Sequence, residues 1–404
     1  MLLPARNPFH ALRHRNFRLF YFGQFVSLAG TWMQVVALGW LVLELTNSPF
    51  YVGLVSALGS LPILLFTLWG GVLADRVDRR RALILLQTLM LLDALALALL
   101  TVTDRVTVPW VMVLAVVHGT SSAFEVPIRQ AFVIDMVGKD DLMNAIALNS
   151  SNFNLTRIVG PALAGVVIAM AGVAPCFFIN AASFLAVIWS FFAMRQADAP
   201  NREAGRLTAA TFEEGARYAL GTASPRALLL LTAIYSIFGF SFIAMLPVYA
   251  RDVLHTDARG YGGLMTAVGI GASIGALTMA AMGHRFPRTR VLRAAGLLFS
   301  LSLAATAVAR HWWLAAMLLG VTGCLMILNN IATNTQLQTT APDQLRGRVM
   351  GFYSLMVLGM SPFGSLQAGW VSEHHGVPAA LGLGAAVCAL SVLRLAEPGR
   401  QVGT

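Results

Sequence analysis

Charge is what this sequence has least of. Asp, Glu, Lys and Arg make up 11% of its 404 residues, where a soluble domain carries roughly 25%, and 57% of the chain is apolar. So little charge cannot coat a water-exposed surface of this size, which excludes a soluble enzyme and a disordered chain. The net charge of +10 does not restore a nucleic-acid binder. That reading needs a basic face on a soluble fold, and here the 28 basic residues, all Arg except Lys139, sit in short gaps between long apolar runs. Cysteine is scarce as well. Cys176, Cys324 and Cys388 lie inside apolar runs, without a disulfide framework or metal-ligand spacing. The chain has no G-x-x-x-x-G-K-[ST] stretch and no catalytic triad, so neither nucleotide hydrolysis nor enzyme chemistry is expected, and no cofactor or metal. The basic N-terminal residues Arg6, Arg13, Arg15 and Arg18 precede an apolar run of about 28 residues without a cleavage-site pattern, which reads as a retained span.

What the sequence has is apolar length. A helix crossing a bilayer needs roughly 20 mostly apolar residues, and only helices satisfy their backbone in lipid at this hydrophobicity. Spans are expected near 17–45, 50–74, 82–103, 107–127, 142–170, 173–194, 226–251, 259–283, 290–309, 311–336, 346–371 and 376–394, twelve in all. Thr46-Asn47-Ser48-Pro49 and Ala171-Gly172-Val173-Ala174-Pro175 supply the turn-like breaks between the closely fused pairs. Of the basic residues, 23 fall in the two tails and the even-numbered breaks, against four (Arg105, Arg251, Arg259, Arg310) in the odd-numbered breaks. By the positive-inside rule both termini are cytoplasmic.

The polar stretch 195–225 divides the chain into two six-span halves, 1–194 and 226–404, and its 211–218 portion reads as a short amphipathic helix on the membrane surface. The halves echo each other. Asp75-Arg76-Val77-Asp78-Arg79-Arg80-Arg81 after span 2 recurs loosely as His284-Arg285-Phe286-Pro287-Arg288-Thr289-Arg290 after span 8, and Lys139-Asp140-Asp141-Leu142 recurs as Pro342-Asp343-Gln344-Leu345. A duplicated six-helix unit follows, an organisation common among secondary transporters.

Gly71-Val72-Leu73-Ala74-Asp75-Arg76-Val77-Asp78-Arg79-Arg80-Arg81 resembles the G-x-x-x-D-R-x-G-R-R signature of the major facilitator superfamily, with Asp78 where that pattern has Gly. Arg157-Ile158-Val159-Gly160-Pro161-Ala162-Leu163-Ala164-Gly165 is similar to the end of the family's exporter signature in span 5, and Gly359-Met360-Ser361-Pro362-Phe363-Gly364 occupies the matching place in span 11. Val117-His118-Gly119-Thr120 is similar to the span 4 signature, although Ala115 replaces its Arg. Asn16-Phe17-Arg18-Leu19, Gln24-Phe25-Val26-Ser27, Pro127-Ile128-Arg129-Gln130-Ala131-Phe132 and Asn144-Ala145-Ile146-Ala147-Leu148-Asn149 look like the enterobactin-exporter and macrolide-efflux branch. The resemblance implies an all-α membrane protein of two pseudo-symmetric six-helix bundles in the inner or plasma membrane. It implies a monomer that exports a small amphipathic organic compound, drug-like or siderophore-like, against protons. An importer or lysolipid flippase of the same fold, and a non-transporting sensor or scaffold, stand as alternatives.

The resemblance also assigns roles. Gly71, Asp75, Arg76, Arg79 and Arg80 would form a cytoplasmic latch between the halves, Arg79 pairing with Glu125 or Asp135. The plainer reading is that these arginines only fix topology. Ionisable groups inside spans are functional candidates by default. Asp93, about 18 Å into span 3, and Arg157 in span 5 form either a structural ion pair or a proton or substrate site. His118 either handles protons or is a hydrogen-bonded packing residue. Spans 1, 4, 7 and 10 line the cavity in the family, so Gln34, Asn149 in span 5, Tyr235, Phe238, and the one-faced series Asn329, Thr333 and Gln336 would line an amphipathic site. The competing reading is that the amides hold helices together. Gly160, Pro161, Gly165 and Pro362 are expected to serve close packing and bending.

Overall fold

The computed structural model describes residues 9–195, 217–282, 287–342 and 344–395. Among the described residues, twelve helices are long and apolar enough to span a membrane: α1 (Arg15–Thr46), α2 (Pro49–Arg76), α3 (Arg79–Val102), α4 (Val108–Val137), α5 (Leu142–Ala171), α6 (Ala174–Ala193), α7 (Ala223–Val253), α8 (Ala258–Met282), α9 (Arg288–Val308), α10 (Trp312–Thr340), α11 (Arg346–His375) and α12 (Val377–Leu395). The surface helix expected over 211–218 lies largely outside the described residues.

The breaks follow from local chemistry. Asn47 takes the left-handed conformation (φ 51°) to end α1, and the Ser48 hydroxyl then caps α2 by accepting from the Tyr51 N–H, with Pro49 at its first turn. Gly138, Gly172 and Gly376 end α4, α5 and α11 at positive φ. Asp78, which departs from the superfamily pattern, needs no glycine freedom. It sits at φ −65° as the N-cap of α3, and its carboxylate accepts from the Arg81 N–H at 3.1 Å. Two spans are interrupted: α7 carries π turns at Tyr235–Gly239 and Tyr249–Val253, and α11 breaks at Met360, with Pro362 in the first turn of its second segment.

The two six-helix bundles repeat one packing scheme. In the first, α2 packs on α4 and α3 on both α4 and α6; in the second, α8 packs on α10 and α9 on both α10 and α12. Small residues set the close crossings. A side chain on Gly119 of α4 would strike the Gly59 carbonyl of α2, and in the repeat one on Gly271 of α8 would strike the Gly320 carbonyl of α10. The outward faces are apolar, as lipid requires: Leu85, Leu92 and Leu99 are exposed at seven-residue spacing on α3, and Trp69, Trp110, Trp189, Trp313 and Trp370 are exposed toward helix ends, where such rings favour the membrane interface.

The bundles join through α2 with α11 and α5 with α8, and these contacts concentrate at the end remote from the chain termini. Gly53 packs on Gly369 and Ser365, with a Cβ built on it 2.9 Å from the Gly369 Cα. Ser48 and the Phe50 N–H donate to Glu373 at 2.7 and 3.1 Å, and Ser56 meets Ser365 at 3.2 Å. On the other crossing, Gly165 faces Ala258 and Arg259, Gly262 faces Pro161 and Gly165, Thr266 donates to the Ile158 carbonyl, and Gly269 faces the Arg157 carbonyl. Toward the terminal end the spacing opens: a Cβ on Gly71 in α2, or on Gly347 or Gly351 in α11, would meet no described atom within 4 Å. The halves are sealed at one end and part toward the other.

Gly53→Val would overpack this seal at a cost of about 1–3 kcal/mol. We expect a Ser365→Cys probe, on a residue 4% exposed in the closed seal, to react with an impermeant maleimide much faster in the Gly53→Val background than without it.

Candidate functional site

Apart from Arg157 in α5, the ionic groups buried in the described spans lie in the seam between α3 and α4, in three layers. At the terminal end, Arg79 is held by five hydrogen bonds. Its Nε donates to the Ala74 carbonyl at 2.9 Å. One terminal nitrogen donates to the Ala131 carbonyl (2.8 Å) and both carboxylate oxygens of Asp135 (3.0 Å), and the other to Asp75 at 3.4 Å. This ties the end of α2, the start of α3 and α4 into one corner, and Arg80 adds a bond to the Phe192 carbonyl of α6. Asp75 and Arg76 are exposed. Arg79 therefore closes on its own half, and its carboxylate on α4 is Asp135 rather than Glu125.

Glu125 belongs to the middle layer. It is 5% exposed and accepts from Arg129 Nε at 2.8 Å and from Gln87 Nε2 at 3.2 Å. One helical turn separates Glu125 from Arg129, so the shortest partner is on its own helix and leaves Arg79 to Asp135.

The deepest layer pairs Asp93 with His118, Nδ1 to Oδ2 at 3.6 Å. It lies about 9 Å along α3 from Gln87. Asp93 is 4% exposed, and its other oxygen and the His118 Nδ1 make no hydrogen bond. The pair is neutral overall as carboxylate with imidazolium, or as carboxylic acid with imidazole. In the charged form each group needs the other, because a lone buried charge is costly. The expected alternative partner, Arg157, is not there. Arg157 turns toward α1, its guanidinium carbon 5.9 Å from the Trp32 ring centre. The two groups sit at similar depth, but their side chains leave α3 and α5 in different directions.

Most of the polar residues expected to line a cavity are engaged within their own half. Gln34 accepts from Asn180 of α6 at 2.7 Å. Tyr235 is buried, donates to the Gly296 carbonyl at 2.9 Å and packs on Phe299. Asn329 donates to the Leu292 carbonyl of α9, and Thr333 to the Asn329 carbonyl. The one-faced series on α10 thus faces α9 in its upper part, the arrangement expected of helix-joining amides. Asn149, Phe238 and Gln336 are only partly buried, and the Gln336 side-chain oxygen has no partner. Gly160 lets α5 approach Trp32 and Ala29 of α1, and Gly165 meets α8 across the halves.

One cluster escaped the sequence reading. Asp141, at the start of α5, is buried against the N-terminal segment, accepting from His14 (2.7 Å), Arg13 (2.9 Å) and His10 (3.0 Å), while the Ala11 N–H donates to Asn144. The signal was the doubled Asp140-Asp141 facing a His-x-x-Arg-His run, 127 residues or more apart in sequence. The hydrogen bond from His14, then those of His10 and the Arg13 charge, hold the Asp141 carboxyl at about 2.

A helical protein of paired six-span bundles, sealed at one end and parted at the other, is a secondary transporter of the major facilitator fold. The chain belongs to the family described as transmembrane secretion effector, which it matches over residues 6–398, and it is a multi-pass protein of the inner membrane. It is similar to the multidrug efflux pump Tap of Mycolicibacterium fortuitum (29% identical, covering 89% of this chain and 90% of that one). It is also similar to the staphyloferrin A transporter of Staphylococcus aureus (25%; 89% and 90%) and to the enterobactin exporter EntS of Shigella flexneri (24%; 84% and 81%). Among solved structures, a bacterial homologue of the iron transporter ferroportin in an inward-facing state superposes with TM-score 0.76 at 12% identity, over 95% of this chain and 99% of that one.

Two consequences are measurable. Arg79→Ala removes the buried pair with Asp135 and should lower stability by about 3 kcal/mol or more, seen as a depressed melting temperature that Arg80→Ala does not reproduce. Folding holds Asp141 at about 2 against 3.8 for the free group. The tie therefore stabilises fully above pH about 4 and is lost as pH falls toward 2. The melting difference between the wild type and Asp141→Asn should be present at pH 7 and vanish across that window.

Proposed function

We propose that this transporter exports a small amphipathic organic compound by alternating access, driven by protons moving inward, with both termini in the cytoplasm. The observation that carries the reading is the geometry of the halves, joined by glycine-lined crossings of α2 with α11 and α5 with α8 at one end and separated at the other. Bundles that meet through such narrow contacts can rock about them. The bodies that rock would be residues 1–194 and 226–404, linked by 195–225, in a single monomeric chain.

The 23-to-4 distribution of basic residues supports cytoplasmic termini. In that orientation the open end faces the cytoplasm, the state in which an exporter loads. The named activities of Tap and EntS support outward movement of an organic compound. On closing, Gly71, Asp75 and Arg76 would engage the opposite half, while Arg79 keeps its corner rigid.

Coupling would reside in the α3–α4 seam. A proton taken up by the Asp93–His118 pair abolishes its internal attraction, since a neutral acid beside an imidazolium leaves one uncompensated charge. That changes how α3 holds α4, and α4 packs on α2 through the Gly119–Gly59 crossing. The coupling element is thereby one helix away from the α2–α11 hinge contact.

The test begins with a compound-sensitivity panel in a deletion strain, complemented or not, to find a transported compound. In everted vesicles the wild type should accumulate that compound under an imposed proton gradient. Asp93→Asn should abolish gradient-driven accumulation while retaining counterflow exchange. Accumulation by right-side-out vesicles under an inward proton gradient, with none in everted ones, would reverse the direction assigned here.

A further inference from the structure

Arg157 is the one buried arginine in a span to which the seam gives no role. It is 8% exposed, lies one turn before Pro161 in α5, and has no carboxylate partner among the described residues. The buried carboxylates of its half are committed elsewhere: Asp93 to His118, Glu125 to Arg129, Asp135 to Arg79 and Asp141 to the N-terminal segment. Its guanidinium nitrogens make no hydrogen bond to the described protein, yet none is sealed from solvent as the unpartnered atoms of Asp93 and His118 are. A permanent cation at membrane depth without a counter-charge is expensive, and a guanidinium does not relieve the cost by losing its proton.

Position adds a second observation. The α5–α8 contacts descend from Gly165 through Pro161 and Ile158, and the lowest of these close approaches is the Arg157 carbonyl against Gly269. Beyond it, toward the open end, glycines of α8 pack within their own half, Gly275 on Cys324. Arg157 therefore stands where the halves begin to part. One aromatic ring, Trp32, lies beneath the guanidinium, and Phe153, one turn away on α5 and 44% exposed, meets the Trp32 ring edge-on at 5.7 Å. A fork of free donors beside aromatic faces suits a flat anion, which it can hold with paired charge-assisted hydrogen bonds while the rings take the apolar part.

We propose that Arg157 is the anion-recognition point of the substrate site, and that the transported compound is an aromatic or otherwise flat organic anion bearing a carboxylate or an ionised phenol. This inference rests on the transport reading and names its substrate class. Binding such an anion supplies the missing counter-charge at the junction that must open for release to the other side.

The test uses the purified full chain in phosphatidylcholine nanodiscs, with 2-naphthoate and its neutral isostere 2-naphthamide as probes, corrected for binding to empty discs. The wild type should bind the naphthoate about tenfold or more tightly than the amide. Arg157→Gln should erase the preference, and Arg157→Lys should keep most of it. Equal binding of the two probes by the wild type, which requires no variant, overturns the proposal, as does a monodisperse Arg157→Gln protein that retains the preference. Phosphatidylglycerol in the disc should leave naphthoate binding unchanged. Loss of binding there would assign Arg157 to a lipid headgroup and overturn the substrate role. If the charge preference holds but proteoliposomes carry neither probe, the anion site stands and the transport reading falls. If a neutral compound is carried and the preference is absent, the reverse is true.

Discussion

A charge placed among hydrocarbon must find an opposite charge or a set of donors, and the distribution of polar groups in this protein follows from that requirement. Where α3 and α4 meet, three carboxyl groups each have a basic side chain of the same seam as partner: Asp135 has Arg79, Glu125 has Arg129 and Asp93 has His118. The bonds loosen with depth. Arg79 is held by five hydrogen bonds, four of them at 3.0 Å or less, Glu125 by two, and Asp93 only by an ion pair at 3.6 Å without hydrogen bonding. A rigid corner at the membrane surface grades into a weakly tied pair near the middle. Rearrangement is cheapest at the deep end, where the fewest bonds have to be broken.

Among its described residues, the second bundle answers the same packing problem without a buried charge; the bond from Arg288 of α9 to the Thr339 hydroxyl of α10 is exposed. The interface of α9 with α10, equivalent by the repeat to α3 with α4, is joined by Asn329 to a backbone carbonyl and by Ser302 with Thr322 at 2.9 Å. Hydroxyls and amides there hold helices at modest cost, and neither group titrates in the physiological range. The duplication preserved the geometry of the bundle while the chemistry of its central seam diverged.

Much of this was legible in the sequence. The twelve apolar runs, the breaks at Asn47 and Gly172 and the equivalence of the halves depend on length, turn residues and repeat spacing, which are local properties. Partner choice was not. Asp93 and Arg157 share a depth, but depth fixes only height along a helix and not the direction in which a side chain leaves it. The i, i+4, i+7 series Asn329, Thr333, Gln336 defined a face correctly, yet a face does not say whether it meets a cleft or a neighbouring helix, and it met α9. Asp78 shows the converse. It departs from a glycine pattern, yet it serves as a helix cap, because the backbone there does not enter the left-handed region.

The chemical asymmetry of the two bundles has an evolutionary side. If energy conversion is confined to the first bundle, substitutions across the neutral interior of the second leave the driving machinery intact. Selection can then remodel cargo preference by trading hydroxyls, amides and rings in one half of the molecule, and homologues can diverge widely in what they carry while running on the same engine.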